Sequence, residues 1–303
     1  MMSSANPQPS IWRKHRFLLL RRLSQLLVLL TFVAGPITGY QILNGNLSAS
    51  QLFDSIPLSD PLLTLQVLLS GHLPEFSLLL GALIIGGFYT LFGGRSFCSW
   101  VCPVSLITDA AAWLRRKLHL PRLPVLPRYL KYALLALVLL LPPLTGLLVW
   151  EWVNPVPLVY RELLFGTGSS LWLLVAIFLL DTFISERAWC GHLCPTGALY
   201  RLLGKASPLR LAAKQPQSCD LCMACFTVCP EPQVLKPVLR GHEMKLTATD
   251  CTLCGRCIDV CNQNVFSFHS RLQLSPATTY SINSQPQTDT SPDRDPSRME
   301  KHL

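Results

Sequence analysis

All twelve cysteines of the 303-residue chain fall into four short motifs whose spacings are typical of metal ligation. Two motifs have the spacing C-x2-C-x2-C-x3-C, which in bacterial ferredoxins holds [4Fe–4S] clusters. The first run comprises Cys219, Cys222, Cys225 and Cys229 before Pro230, and the second comprises Cys251, Cys254, Cys257 and Cys261 before Asn262. Because each iron of such a cluster takes one soft thiolate ligand, two runs in tandem predict two clusters and electron transfer.

In two-cluster ferredoxins the fourth cysteine of each run ligates the other cluster. We therefore expect one thiolate of each cluster to come from the opposite run. Cluster I then takes Cys219, Cys222, Cys225 and Cys261, and cluster II takes Cys251, Cys254, Cys257 and Cys229. Zinc is the alternative, because paired C-x2-C units also bind zinc. Four cysteines in a single run, present twice, favour iron–sulfur clusters.

The other four cysteines form two C-x3-C-P pairs, Cys98/Cys102 and Cys190/Cys194. Residues four apart share one face of a helix. Each pair could therefore hold a metal, form a redox disulfide or contact a quinone or a partner, and all four thiols could converge on one additional cluster or metal. Simple packing of buried cysteines is the alternative. His192, inside the second pair, is a candidate for proton handling or else a surface histidine at the membrane interface.

The elements that carry these motifs include four apolar stretches, each close to the roughly 20 residues that cross the hydrocarbon core of a bilayer. They are Leu23–Leu43, Phe76–Gly94, Tyr132–Trp150 and Leu171–Trp189. Half of all residues are hydrophobic and only 14% are charged, which favours four membrane spans over four core helices of a soluble domain. Asp181, inside the fourth stretch, is costly in lipid and is therefore a functional candidate, unless it reaches the interface.

The basic residues alternate along the chain. Arg and Lys are frequent in the N-terminal segment and after the second and fourth apolar stretches. The connections after the first and third stretches together contain a single basic residue, Arg161. By the positive-inside rule, both termini and all cysteine motifs face the cytoplasm of an inner-membrane protein that crosses the membrane several times. Topology thus accounts for the net charge of +9, and no nucleic-acid partner is expected. A reducing cytoplasm also fits cysteines on metal-ligand spacings.

The membrane part has the pattern of an internal duplication. The second apolar stretch runs into R-x-F-C-x3-C-P from Arg95, and the fourth runs into R-x-W-C-x3-C-P from Arg187. The matching cysteines lie 92 residues apart (98 to 190). The sequence thus predicts an α-helical membrane protein with a C-terminal α+β module. Its parts are a basic N-terminus (1–22), four transmembrane helices in two repeated hairpins (23–205), a linker (206–216), a ferredoxin-like domain (217–270) and a disordered tail (275–303).

Four apolar stretches, two C-x3-C-P motifs and a double ferredoxin motif together resemble the NapH/MauN family of membrane ferredoxin-type proteins. The resemblance covers about residues 11–265 and extends to the related NosR and CcoG proteins. NosR-like proteins carry a large flavin-binding domain before the membrane part, and CcoG-like proteins carry a folded domain after the clusters. Here 22 residues precede the first stretch and a polar segment follows the clusters, so we expect the NapH/MauN type.

The resemblance implies an electron-transfer subunit of a quinol dehydrogenase. Such a subunit takes electrons from quinol in the membrane pool and passes them, with the periplasmic ferredoxin NapG, toward a periplasmic nitrate reductase. It implies two [4Fe–4S] clusters on the eight ferredoxin-spaced cysteines, and it maps the family's paired motifs onto the C-x3-C-P cysteines. A different class of function is assembly, in which the chain reduces copper or thiols while a respiratory metalloenzyme matures. A scaffold with purely structural clusters is a third.

Overall fold

The computed structural model describes most of one compact unit, which extends over residues 1–271. The described residues are 11–38, 43–45, 48–53, 55–120, 126–166, 168, 171–214, 218–220, 222–239 and 249–270. A second unit, residues 272–303, lies outside them, and so does the segment predicted to be a disordered tail.

Within the described residues the structure is mainly helical, with short strands. The α-helices are α1 (Ile11–Thr38), α2 (Pro61–Leu69), α3 (Phe76–Phe92), α4 (Ser96–Trp100), α5 (Val104–Lys117), α6 (Leu130–Thr145), α7 (Val149–Val153), α8 (Pro155–Phe165), α9 (Leu171–Leu179), α10 (Pro195–Leu203), α11 (Ala224–Val228), α12 (Lys236–Leu239) and α13 (Arg256–Val260). The strands are β1 (Leu43–Gly45), β2 (Ala49–Leu52), β3 (Ile56–Ser59), β4 (Leu209–Ala213) and β5 (Phe266–Ser270). Leu180–Ile184 and Trp189–Leu193 are π-helical turns, and Gly204–Ala206 and Pro232–Leu235 are 3₁₀ turns.

Among the described residues, one helix is long and apolar enough to cross a membrane. It is α1, over residues 14–35. The other three apolar helices are α3, α6 and α9 with its π-helical continuation, and each is 10–17 residues long. They are shorter than the roughly 20 residues of a full span, so the prediction of four full-length spans is not confirmed. The third predicted stretch ends early, because Gly146 at the C-terminus of α6 takes a left-handed backbone (φ 69°). In the fourth predicted stretch, α9 becomes π-helical at Leu180.

The two predicted hairpin repeats have matching local structures around their cysteine pairs. In the first repeat, α3 is followed by the one-turn helix α4, which contains Cys98, and then by α5 after Cys102-Pro103. In the second repeat, α9 and its continuation are followed by the π-helical turn Trp189–Leu193 and then by α10, which begins at Pro195. Proline is well suited to the first turn of a helix, because the N–H it lacks would have no intrahelical partner there.

Two small antiparallel sheets complete the described fold. β1, β2 and β3 form one sheet in that order, between α1 and α2. β4 and β5 form the other, with Leu209 opposite Ser270 and Ala213 opposite Phe266. β4 lies in the segment predicted as a linker, so the iron–sulfur module begins before residue 217. β5, with which β4 pairs, lies beyond both cysteine runs. No local pattern in residues 209–213 identifies β5 as the partner of β4.

The N-terminal turns of α1 pack against the iron–sulfur module. The backbone N–H of Phe17 donates to the Asp259 carboxylate at 3.1 Å, and the Phe17 ring meets Phe268 edge-to-face with centroids 5.7 Å apart. α1 begins at residue 11, well before the apolar stretch predicted from residue 23. Because Phe17 contacts the iron–sulfur module, the basic first turns of α1 belong to a packed interface.

Gly94 marks the closest approach between the two repeats. A Cβ at this position would lie 2.6 Å from the backbone nitrogen of Gly204 and would also overlap the carbonyl oxygen of Tyr200. Because backbone atoms cannot rotate away as a side chain can, we expect Gly94→Ala to destabilise the protein by about 3 kcal/mol. The measurement is the midpoint of thermal unfolding, followed by circular dichroism in detergent.

Gly87→Ala is the matched control for Gly94→Ala. Gly87 lies in the same apolar segment, within α3, and a Cβ there has no atom within 4 Å. The control should leave the unfolding midpoint unchanged or raise it slightly, because alanine favours helix over glycine by up to about 1 kcal/mol. Equal midpoints for the two variants would show that the repeats do not approach each other at Gly94.

Candidate functional site

Each ferredoxin-like run turns sharply before the short helix that carries its third cysteine. The residue after the second cysteine has a left-handed backbone in both runs, with φ of 58° at Met223 and 71° at Gly255. This turn leads directly into α11, which contains Cys225, and into α13, which contains Cys257. Glycine adopts the conformation without steric cost, whereas methionine does not. Gly255 has a second reason to be glycine, because a Cβ there would lie 2.5 Å from the Phe17 ring.

The structure brings the eight ferredoxin-spaced cysteines together as two groups of four. Cys229, Cys251, Cys254 and Cys257 line one small cavity of about 20 Å³. In the other group, the thiol of Cys225 lies close enough to those of Cys219, Cys222 and Cys261 for their charges to raise its pKa. Each group contains three cysteines of one run and the fourth of the other.

Among the described residues, no group of three or more His, Cys, Asp or Glu side chains is placed to hold a single metal ion. A cube of four irons holds its thiolates at four corners. Burial raises the pKa of Cys225 and of Cys251 to about 12. These thiols therefore need the positive charge of bound iron to become thiolates, as cluster ligation requires.

The buried group that contains Cys251 is joined to the membrane repeats by an ion-pair network. Its acids are Glu231, two residues after Cys229, and Asp250, directly before Cys251. Arg95 Nη1 donates to Glu231 Oε1 at 3.1 Å and to the Asp250 carbonyl at 2.8 Å, and its side chain is 3% exposed. Three further cations contact the same acids. They are Lys131, at 3.1 Å from Asp250, Arg201, at 2.9 Å from Asp250, and Arg128, at 3.1 Å from Glu231.

The four C-x3-C-P thiols also lie near one another, across the boundary between the repeats. Burial raises the pKa of Cys190, and the charges of Cys102, Cys194 and Cys98 raise it further. Burial and the charges of Cys98 and Cys194 likewise raise the pKa of Cys102. None of the twelve cysteines, all of which the structure describes, forms a disulfide. The sequence pattern had left open whether the two pairs meet, and they do.

The second cysteine of each pair lies at the start of a helix, where backbone N–H groups lack intrahelical partners. Cys194 is the N-cap of α10, and its Sγ accepts from Gly197 N at 3.4 Å. Backbone hydrogen bonds from Val104 and Ser105, in the first turn of α5, act on Cys102 in the same way. Such N–H groups favour a thiolate over a thiol. The two repeats thus present equivalent thiolate-stabilising positions.

His192 and Asp181 are both buried beside the second cysteine pair. His192 is 4% exposed, and neither ring nitrogen has a hydrogen-bond partner among the described residues. Its reading as a surface histidine is therefore wrong. Burial lowers the pKa of His192, which keeps the ring neutral at pH 7. Asp181 is fully buried and accepts from Trp189 N at 3.0 Å, so it holds the start of the π-helical turn instead of reaching the interface.

The arginine before each cysteine pair reaches across to the opposite repeat. Arg95 of the first repeat donates through Nη2 to the Cys190 carbonyl at 3.3 Å. Arg187 of the second repeat pairs with Asp109 of α5 at 2.5 Å, and Arg21 and Arg22 of α1 pair with the same carboxylate. Each arginine thus stabilises the contact between the repeats, which explains its presence three residues before the first cysteine in both motifs.

A separate, largely apolar pocket of about 220 Å³ lies against α4. Its wall includes Phe97 and Val101, the immediate neighbours of Cys98 and Cys102 in the sequence. Phe97 stacks on Tyr200 with ring centroids 4.9 Å apart. Concave pockets with largely apolar walls and a small number of polar groups are typical of small-molecule sites.

Among the polar residues that line this pocket, Asp60 and Thr196 have groups that could bind a ligand. Asp60 is the N-cap of α2, where Oδ1 accepts from Leu62 N at 3.1 Å, and burial raises its pKa to about 6. The hydroxyl of Thr196, in the first turn of α10, is buried and has no partner among the described residues. A ligand with a hydroxyl or carbonyl group could satisfy both, since buried polar groups normally find a hydrogen-bond partner.

The fold and the thiol groups define a ferredoxin-type iron–sulfur protein that transfers electrons and has a candidate membrane helix. The family model described as a 4Fe-4S binding domain matches residues 75–121 and 167–213, which contain the two C-x3-C-P pairs. The chain belongs to the NapH/MauN family of ferredoxin-type proteins. It is 52% identical to ferredoxin-type protein NapH of Escherichia coli over 262 residues, which cover 86% of this chain and 91% of the relative.

Two further relatives extend this comparison. The NapH protein of Haemophilus influenzae is 49% identical over 87% of this chain and 93% of its own length. The methylamine utilization ferredoxin-type protein MauN of Methylorubrum extorquens is 45% identical over 86% of this chain and 91% of its own length. No solved structure gives a significant match. The two family-model matches start 92 residues apart (75 to 167), the same offset as the cysteine pairs, which supports the internal duplication.

Sequence reasoning did not identify the charged and polar residues that complete the site. Asp250 and Glu231 flank ferredoxin cysteines, but adjacency alone does not show that they face the membrane repeats. Asp60 lies in a connection with no motif. Arg95 and Arg187 did carry a signal, since both motifs begin with arginine three residues before the first cysteine.

Proposed function

We propose that this chain is a multi-pass protein of the bacterial inner membrane that oxidises quinol and passes electrons toward a periplasmic nitrate reductase. The observation that carries the proposal is the largely apolar pocket of about 220 Å³, whose wall is shared with the helix that contains Cys98. A quinol is an apolar ring with two hydroxyl groups, and it reaches a protein from the lipid. Exposed apolar side chains on the short helices fit lipid contact, for example Leu83 and Leu144 at 73% and 81% exposure.

Within this pocket, Asp60 is placed to accept a proton. Oxidation of a quinol to a quinone releases two electrons and two protons. Asp60 in its ionised form takes one proton from the hydroxyl that it faces and releases it to water before it takes the second. The two electrons pass one at a time to the iron–sulfur clusters, while the Thr196 hydroxyl holds the ring. A carboxyl with a pKa of about 6 is suited to this role near neutral pH, because it is mostly ionised yet binds a proton readily.

The ligands of the two [4Fe–4S] clusters in this proposal are the two groups of four thiols. Cluster I is held by Cys219, Cys222, Cys225 and Cys261, and cluster II by Cys229, Cys251, Cys254 and Cys257. Such clusters accept and release electrons one at a time. The mixed composition of each group and the small cavity at the second group support this assignment.

The thiol groups lie in an order that suits transfer away from the pocket. Arg95 contacts both the Cys190 carbonyl and the loop before Cys251, so the C-x3-C-P thiols are next to the cluster II group. Cys257 of that group acts electrostatically on Cys225 of the other. Cys222, at the far end, is exposed. In our proposal both termini and the cysteine motifs lie in the cytoplasm, whereas the acceptor is a NapG-like periplasmic ferredoxin. The quinone pool or a partner subunit therefore completes the route across about 30 Å of lipid.

The test is anaerobic EPR of the detergent-purified full chain before and after addition of menaquinol. We expect quinol to produce the signal of reduced [4Fe–4S] clusters. Dithionite, a strong reductant, serves as the positive control for the presence of reducible clusters. Quinol oxidation would be contradicted if dithionite reduces the clusters but menaquinol, at a concentration that saturates the protein, leaves them oxidised. The assembly function would then become the better explanation.

A further inference from the structure

We propose that Cys98, Cys102, Cys190 and Cys194 together bind a third iron–sulfur cluster, which the two repeats share. Each repeat supplies only two thiols, whereas a cubane cluster takes four. The family model for a 4Fe-4S binding domain matches each repeat separately, and neither match contains more than two cysteines. A complete ligand set therefore exists only where the repeats meet.

The four thiols approach one another across the repeat boundary. Cys102 packs in one apolar cluster with Phe97 of its own repeat and Trp189 of the other. Cys190 Sγ lies 4.0 Å from the hydroxyl of Thr108 in α5 of the first repeat. The charges of Cys102, Cys194 and Cys98 also act on Cys190, so the two pairs are neighbours in the fold.

The surroundings are built to hold negatively charged sulfur in a buried place. Buried charge is costly unless it is compensated. Backbone N–H groups at the start of α5 and α10 point to Cys102 and Cys194, and Gly197 N lies 3.4 Å from Cys194 Sγ. The guanidinium groups of Arg95 and Arg187 add positive charge from opposite sides. N–H groups directed at ligand sulfurs are a general way to stabilise iron–sulfur clusters.

The two other roles for these thiols fit the structure less well. A redox disulfide exchanges with partner thiols and therefore needs access from solvent, whereas Cys102 is buried and its three companions are at most partly exposed. Simple packing would not require backbone N–H donors at equivalent positions in both repeats.

The first experiment measures iron and acid-labile sulfide per chain in anaerobically purified and fully reconstituted wild-type protein. Three [4Fe–4S] clusters correspond to about 12 of each, whereas the ferredoxin-like runs alone account for about 8. A value near 12 supports the proposal. A value near 8 overturns it, and so does 8 iron accompanied by a zinc or copper ion. The result does not depend on quinol, so it separates this proposal from the proposed function.

The second experiment compares variants by the same assay and by EPR after dithionite reduction. The double variant Cys98→Ser/Cys190→Ser removes one ligand from each repeat, and we expect it to lose about 4 iron per chain while it keeps the ferredoxin-type signals. Cys222→Ser, which changes an exposed thiol of the other site, is the matched control and should alter those signals instead. If the double variant has the same iron content per chain as the wild-type protein, the proposal is overturned. If the double variant does not fold, the iron content of the wild-type protein decides between the two outcomes.

Discussion

Replacement of Asp250 by alanine is expected to destabilise the protein by about 3–5 kcal/mol. The Asp250 side chain is 5% exposed and pairs with Arg95, Lys131 and Arg201, of which Arg95 and Lys131 are 3% and 2% exposed. Removal of the carboxylate leaves those two buried cations with one fewer counter-charge, and this unpaired charge is the main cost. The measurement is the free energy of unfolding in detergent, together with the iron content, since Asp250 directly precedes Cys251.

Glu186→Ala provides the control for an exposed ion pair. Glu186 pairs with Arg116 at 3.4 Å, with side-chain exposures of 36% and 47%, and exposed pairs contribute about 0–1 kcal/mol. Equal stability of Asp250→Ala and Glu186→Ala at pH 7 would refute the network.

Burial alone raises the pKa of Asp250, but Lys131, Arg95 and Arg201 lower it by more, so the net shift is downward. The stabilisation by the Asp250 carboxylate is therefore fully present above the ordinary aspartate pKa of about 3.9, and it is lost as the pH falls through the lowered value.

Asp60→Asn is expected to slow quinol-dependent reduction of the protein about 100-fold or more, which is the usual contribution of a general base. Asparagine keeps the side-chain oxygen that caps α2, so the fold should be preserved. Burial raises the pKa of Asp60, the hydrogen bond from Leu62 lowers it and the charge of Glu151 raises it, for a net value of about 6. Because only the ionised carboxyl accepts a proton, the wild-type rate should increase as the pH rises through about 6.

The pH profile distinguishes a proton acceptor from a structural role for Asp60. The Asp60→Asn variant should have a low rate without this inflection, while dithionite still reduces its clusters fully. Glu151→Gln removes the neighbouring charge and should move the wild-type inflection to lower pH. An unchanged rate in Asp60→Asn, or an inflection that Glu151→Gln does not move, would rule out Asp60 as the acceptor. Tyr200, whose pKa Asp60 raises, is the other titratable group beside this carboxyl.

The parts of the site that the sequence predicts are those whose chemistry is contained in local spacing. Four cysteines within eleven residues are close together in any fold, so two thiol groups follow from Cys219–Cys229 and Cys251–Cys261. The repeated R-x-[FW]-C-x3-C-P motif likewise predicts two equivalent turns, which the structure contains. The membership of the NapH/MauN family, expected from the same motifs, is confirmed by relatives that align over 86% of the chain.

The remaining parts depend on contacts between distant segments. Asp250 binds cations from the N-cap of α4, from α6 and from α10, and no pattern around residue 250 encodes their positions. β4 pairs with a strand more than fifty residues later. The lengths of the apolar helices depend on local backbone features, namely the left-handed Gly146 and the π-helical turn at Leu180, to which average hydropathy is insensitive.

The contact between Phe17 and Asp259 has a consequence for how the protein is made. These residues are separated by 242 positions in the sequence, so α1 leaves the ribosome long before α13 is translated. The iron–sulfur module can close around its last four cysteines only when that late segment returns to the first helix. Long-range closure of this kind is a late event in the folding of larger proteins. In the proposed ligand assignment both clusters need cysteines of the second run, so their iron is loaded only after residues 251–261 have been translated, when α1 has already been made.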